Sequence, residues 1–121
     1  MSVSATGIRD RAGNDLGLLR LGQSLQAQDA ARITQGYAEV YNKLKKNGLA
    51  AWAYAGNVPD EFVEDVVALV CVNCMDTYSL PNDRAQRIYA KAGQNGDLAY
   101  RNIRDIVASD YSLPKDDPVD Y

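Results

Sequence analysis

The chain is built from stretches in which apolar residues return every three or four positions, the spacing that lines one face of a helix. Ile8, Ala12, Leu16 and Leu19 set this rhythm first and predict a helix from about Ser4 to Leu19. Gly22, Gln23 and Ser24 interrupt it, and Ser24 or Asp29 is placed to cap the next helix. That helix carries Ile33, Tyr37, Val40, Tyr41 and Leu44 on one face, with Arg32, Glu39, Lys43 and Lys46 elsewhere. Its end is well marked. Asn47-Gly48 supplies a left-handed closing residue, Leu49 folds back onto the last turn, and Lys43, Lys45 and Lys46 sit at the negative end of the dipole.

Ala50 to Asn57 reads as a connector whose Trp52 and Tyr54 need something to pack on. Pro59, Asp60 and Glu61 then open a third helix, since proline suits a first helical turn and acids suit the positive end of the dipole. Phe62, Val63, Val66, Val67, Leu69, Val70, Cys71, Val72 and Cys74 make this helix apolar nearly all round, which predicts the central, most buried element. A buried strand is the competing reading of so many valines. It is set aside because no second strand-like run offers its backbone a partner. Leu80-Pro81-Asn82-Asp83 closes the third helix and opens a fourth, capped by Asn82 or Asp83. Ala85, Ile88, Tyr89, Ala92, Gly96, Ala99, Ile103 and Ile106 keep helical phase across Gly93-Gln94-Asn95-Gly96, predicting one helix to about Ala108, about 40 Å long. Those glycines each cost roughly 1 kcal/mol against alanine, so a kink belongs there if anywhere. Beyond Ala108 the rhythm stops, and two prolines, four aspartates and two tyrosines in residues 109–121 suit an extended tail. The expected fold class is therefore all-α: a four-helix bundle-like domain over residues 1–108, with a long C-terminal helix and an extended tail over 109–121.

Composition narrows the function. At 121 residues there is room for one domain. A balance of 13 basic and 16 acidic residues, net −3, asks for no dedicated nucleic-acid or anionic-membrane surface. The start, Met1 to Asp10, lacks the pattern of a secretory signal, and the apolar run Val66 to Val72 is far short of the roughly 20 residues a membrane span needs. A soluble protein made in a reducing cytoplasm is the expectation.

Candidate chemistry is sparse. Cys71-Val72-Asn73-Cys74 falls mid-helix, without the free amides that activate a redox pair, and no histidine or third cysteine completes a zinc site. Two buried structural cysteines are expected, with no cofactor and no metal. Acid–base work would fall to Glu39, or to Asp60, Glu61 and Glu64, whose place in the first turns of the third helix the dipole already explains. A small carboxylate-dependent hydrolase remains an alternative, as does a non-viral helical interaction domain. Arg84, Arg87, Lys91, Arg101 and Arg104 make the fourth predicted helix locally basic. Either this is a solvated face paired with Asp83, Asp97 and Asp105, or a stripe that contacts phosphate or a partner. Tyr37, Tyr41, Tyr89 and Tyr100 fall in phase with core positions, whereas Trp52, Tyr54, Tyr111 and Tyr121 stand in non-helical segments and read as interface anchors.

The order of these segments has a family likeness. EVYNKLKKNGLAAWAY at 39–54, VPDEFVEDVVALV at 58–70, RAQRIYAKA at 84–92 and an aspartate-tyrosine tail together resemble the head-to-tail adaptor proteins of short-tailed bacteriophages, which complete the head and stabilise packaged DNA. The likeness covers the chain from about Ser24 onward. It implies a non-enzymatic virion protein at the head–tail junction, assembled in the host bacterial cytoplasm as a ring, dodecameric in most such adaptors, beneath the portal protein. It assigns portal docking to Asp110, Tyr111, Leu113, Pro114, Val119 and Tyr121. Contacts with neighbouring subunits and with the next tail component, a nozzle or tail fibre protein, then fall to Trp52, Tyr54, Arg87, Lys91, Arg101 and Arg104. Packaged DNA would pass through the lumen without sequence reading, and no membrane is involved.

Overall fold

A computed structural model describes residues 2–18 and 25–110. The fold is all-α. Five helical segments, α1 (Ala5–Asp15), α2 (Ala27–Lys46), α3 (Asp60–Cys74), α4 (Asn82–Ala92) and α5 (Asp97–Asp110), account for the four predicted helices, the last in two pieces. A two-residue antiparallel ladder joins β1 (Ser2–Val3) to β2 (Val58–Pro59), pairing Ser2 with Pro59 and Val3 with Val58. The valine-rich stretch is helical, as its lack of a strand partner demands.

α3 lies at the centre and packs against α1, α2, α4 and α5. Phe62, Val66, Val70, Cys71 and Cys74 on it are fully buried. They meet Ile8 and Ala12 of α1, Ile33, Tyr37 and Leu44 of α2, Ile88 of α4 and Ile103 of α5 in one core. Removing a large side chain of this kind from water contributes about 1.5–3 kcal/mol. A second, smaller cluster of Ala68, Ala92 and Ala99 lets α4 and α5 approach α3 closely.

The helix ends follow local chemistry, with corrections to the expected boundaries. Ser4 caps α1, its Oγ accepting from the Gly7 amide at 3.1 Å. α1 stops at Asp15, short of Leu19: Leu18 N–H donates to Gly13 C=O and Gly17 N–H to Asn14 C=O, a closing pattern that the apolar rhythm conceals. Arg84 reaches the same end and donates to Asp15 C=O at 3.1 Å, a cation on the negative pole of the dipole. α2 closes as its sequence indicates, with Leu49 N–H donating to Leu44 C=O at 2.8 Å and Leu49 buried on the last turn. Its start is Gln26, which makes no side-chain cap; Asp29 lies in the first turn, and Ser24 is outside the described residues. Pro59 precedes the first turn of α3, and Asp60 and Glu61 occupy that turn. Pro81, not Asn82 or Asp83, is the cap residue of α4.

The long C-terminal helix is broken. Gly93 (φ 85°, ψ 162°) ends α4, and Gly96 (φ 81°) precedes α5. A Cβ on Gly93 would collide with the Asp97 carboxylate and lie 2.8 Å from the Leu98 amide nitrogen, and one on Gly96 would lie 2.7 Å from Leu69 Cδ2. Apolar phase survives the break because both segments lie against α3, so phase alone conceals the change of direction.

Polar ties lock the opposite ends together. Arg32 donates from Nε to Thr77 Oγ1 at 2.8 Å, from one terminal nitrogen to Asn73 Oδ1 at 3.2 Å and from the other to Asn73 C=O at 2.9 Å, so α2 caps the last turn of α3. Asn73 in turn donates to Glu39 at 2.9 Å, and these hydrogen bonds, with one from Gln35, hold the Glu39 carboxyl below its ordinary range. Tyr78 hydroxyl donates to Asp29 at 2.8 Å; burial first, then that bond, push the phenol up to about 12.

Candidate functional site

The two aromatic residues of the connector take different places. The Asn47-Gly48 turn swings the chain back so that Trp52 enters the core, 9% exposed and 5.2 Å from Phe62 ring to ring. Its Nε1 donates to the Tyr37 hydroxyl at 3.0 Å, and its carbonyl accepts from the Tyr41 hydroxyl at 2.8 Å. Burial, above all, raises the Tyr37 phenol. Trp52 is thus a core residue rather than an outward anchor, because α2 offers it both an apolar bed and two hydroxyl partners. Tyr54 stands differently. It is 43% exposed, stacked on Tyr37 at 5.6 Å and edge-on to Tyr41 at 5.4 Å, which holds an exposed ring in a fixed orientation.

The basic residues fall into separate places because the Gly93–Gly96 break turns α5 away from α4. Arg87 and Lys91 border a cavity of about 330 Å³ against α1, beside Asn14, Asp15 and Arg84. Arg87 also pairs with Asp83 at 3.6 Å. Arg104 instead lines a groove of about 620 Å³ between α2, α3 and α5. Arg101 is exposed on α5. No single stripe unites the four.

That groove is wider than the cavity against α1, and the apolar rhythm gave no notice of it. Val40, Leu44, Leu69 and Val72 line it apolarly, and Tyr100 forms a wall with Lys43 Nζ 5.3 Å from its ring centroid. Lys43, Asn47 and Arg104 stand at one mouth; Glu39, Asn73, Asn95 and Asp97 stand at the other. The signal that could have found it is α3 itself, whose all-round apolar surface exceeds what four neighbouring helices cover. Leu69 and Val72 are the part left half-buried.

The remaining candidates have structural settings. Asp60 and Glu61 sit in the first turn of α3, and Glu64 is exposed one turn on. Asp65 on α3, which the residue pattern passed over, is shifted the opposite way to Glu39: burial, chiefly, raises its pKa, while Asn102 donates to it at 3.2 Å and ties α5 to α3. Cys71 and Cys74 are free and buried, with Cys71 Sγ 3.7 Å from the Ala12 carbonyl oxygen. Desolvation pushes the Cys71 thiol up to about 12 and raises Cys74 as well, the reverse of what a redox pair needs. Among the described residues no cluster of three or more acidic, cysteine or histidine side chains is placed to hold a metal ion, and no helix is long and apolar enough to cross a membrane. Asp110 ends α5, two residues past the expected boundary of the body; Tyr111, Leu113, Pro114, Val119 and Tyr121 lie outside the described residues.

No family model, curated protein or solved structure matches this chain. The class that the fold defines is a small all-α domain with a grooved flank.

Proposed function

We propose that the chain is a structural virion subunit, a head-to-tail adaptor of a short-tailed bacteriophage that works by position and carries out no reaction. Copies form a ring beneath the portal vertex, extend the DNA channel toward the tail and help retain the packaged genome. The segment from Asp110 onward reaches the portal, and the faces bearing Tyr54, Arg87, Lys91, Arg101 and Arg104 meet neighbours or the next tail component. Tyr37 and Tyr41, both bonded to the buried Trp52, hold Tyr54 in place.

One observation carries the reading: the two distinctive stretches of the family likeness, the lysine-rich helix that ends in Asn47-Gly48 and the VPDEF helix start, are drawn together by the connector, whose Trp52 meets Tyr37 and Tyr41 on the one side and Phe62 on the other. The turn at Asn47-Gly48 brings Trp52 onto Phe62, so the resembling residues build one rigid end of the bundle. α5 runs antiparallel to α3, Gly96 lying by Leu69 and Asn102 by Asp65, so the chain leaves the body at that same end.

The test is mass measurement on the purified protein mixed with a portal ring. A cyclic complex carrying several copies of the chain per portal is the expected result. A portal that elutes with no bound chain overturns the proposal.

A further inference from the structure

Two asparagines of the chain stand before a glycine, at Asn47-Gly48 and Asn95-Gly96, and they border opposite mouths of the groove between α2, α3 and α5. In this dipeptide an asparagine side chain is most open to attack by its own backbone, because glycine brings no Cβ to hold the following nitrogen away from the side-chain carbonyl. The glycine nitrogen gives its proton to hydroxide, bonds to the asparagine Cγ and expels ammonia, leaving a succinimide ring. Water then opens the ring. Breaking the new N–Cγ bond leaves aspartate; breaking the original peptide bond leaves isoaspartate, with one more methylene in the main chain. Asparagine and water thus become an acid and ammonia, with no change of oxidation state.

The fold holds the two sites differently. Asn47 donates from Nδ2 to Lys43 C=O at 2.8 Å, Gly48 N–H donates to Lys45 C=O at 3.0 Å, and Leu49 N–H donates to Leu44 C=O at 2.8 Å. The first bond keeps the side-chain amide on the end of α2, and the other two keep the glycine nitrogen from turning toward it. At the joint between α4 and α5 there is less to undo. Gly96 N–H donates to Gly93 C=O at 3.2 Å, and the exposed Asn95 side chain has no hydrogen-bond partner among the described residues. Gly96 is buried against Leu69, so opening frees one amide from one carbonyl and one side-chain tip from the backbone.

We infer that Asn95 is a site of spontaneous deamidation in the folded chain, and that the fold protects Asn47 from the same reaction. The product alters the groove. A carboxylate at position 95 joins Glu39 and Asp97 at the acidic mouth, just before α5, where the helix dipole favours it. The isoaspartate form lengthens the main chain at the joint, where Gly93 and Gly96 set the direction of α5. The acidic mouth therefore gains charge as the protein ages, while the basic mouth, with Asn47 intact, keeps its own. The inference rests on the groove and the joint and is independent of the adaptor reading.

The experiment incubates the folded full chain at pH 8 and follows both asparagines by tryptic digestion and mass spectrometry, with an unincubated sample as zero. Trypsin releases residues 92–101, in which Asn95 is the only asparagine, and fragmentation of the peptide 47–84 localises any change at Asn47. Asn95 should convert at least about tenfold faster than Asn47, because two more hydrogen bonds must open at Asn47. Part of the product should accept a methyl group from an isoaspartate-specific methyltransferase. In urea the gap should close, since both turns are gone, and the Asn95→Gln chain should leave residues 92–101 without the mass gain. Native rates that are equal, a faster Asn47, or a gap that persists in urea overturns the inference. So does a peptide 92–101 that keeps its amide in the native chain while the urea sample converts.

Discussion

Replacing the glycines at the break between α4 and α5 by alanine separates a joint from a continuous helix by the sign of its effect. In a continuous helix, alanine is preferred to glycine by roughly 1 kcal/mol at each position, so Gly93→Ala and Gly96→Ala would both stabilise. The observed geometry predicts the reverse. Gly93 combines φ 85° with ψ 162°, a region almost reserved for glycine, at a cost of about 1–3 kcal/mol for any other residue. Its new Cβ would also sit 2.8 Å from the Leu98 amide nitrogen, backbone that cannot retreat without displacing α5. After an offset of about 0.4–1 kcal/mol from the stiffer unfolded chain, Gly93→Ala should cost about 3 kcal/mol. Gly96→Ala should cost about 2, because the left-handed backbone costs about 1–2 kcal/mol and the obstructing atom is only the tip of Leu69. Gly48→Ala serves as control: φ is 73°, but nothing lies within 4 Å of the added carbon, so about 1 kcal/mol is expected. Urea unfolding followed by circular dichroism reads the series directly. With a slope of about 1.5 kcal/mol per molar, Gly93→Ala lowers the midpoint by about 2 M at unchanged slope. A midpoint that rises for Gly93→Ala, or an order in which Gly48→Ala is the most damaging, would refute the joint.

The two connector aromatics should part company when truncated: Trp52→Ala should cost about 3–5 kcal/mol as a large buried side chain, and Tyr54→Ala only about 1, the worth of an exposed ring stack, both read by urea unfolding. Tyr78 gives a pH signature. Its phenol is raised to about 12 in the folded chain, so its stabilising contribution is fully present below the unfolded value of about 10 and is lost as pH climbs from there toward 12; Tyr78→Phe should make the alkaline slope shallower in a stability profile taken between pH 9 and 12, leaving the part due to Tyr37 and the two buried thiols. The buried thiols should resist iodoacetamide at pH 8 in the native chain and react fully in urea; mass spectrometry showing rapid native labelling of Cys71 would contradict its burial and raised pKa.

What the sequence disclosed and what it hid divide along a physical line. The closing turn of α2, the acidic start of α3 and the central place of α3 were legible because each is set by a few consecutive residues or by the apolar content of one helix. The break at Gly93–Gly96 was not, since period counting registers which residues face a core and is blind to φ. Ala92 and Ala99 face the same helix from either side of the turn. Trp52 was misplaced for a related reason. A ring in a connector looks outward until one knows that α2 supplies the Tyr37 hydroxyl, which accepts the indole N–H, and the Tyr41 hydroxyl, which donates to the Trp52 carbonyl. The candidate site follows the same division. Arg87, Lys91, Arg101 and Arg104 share a stripe only on a straight helix; the joint sends Arg87 and Lys91 to the α1 side and Arg104 to the groove. Any partner that reads these cations therefore reads two surfaces, and charge changes on one should leave binding at the other unaltered. The groove itself belongs to no single segment. It exists because the apolar circumference of α3 is wider than its neighbours can cover, and the uncovered arc, Leu69 and Val72, lies where the basic residue of one helix and the acidic residue of another are brought to opposite ends of the same opening.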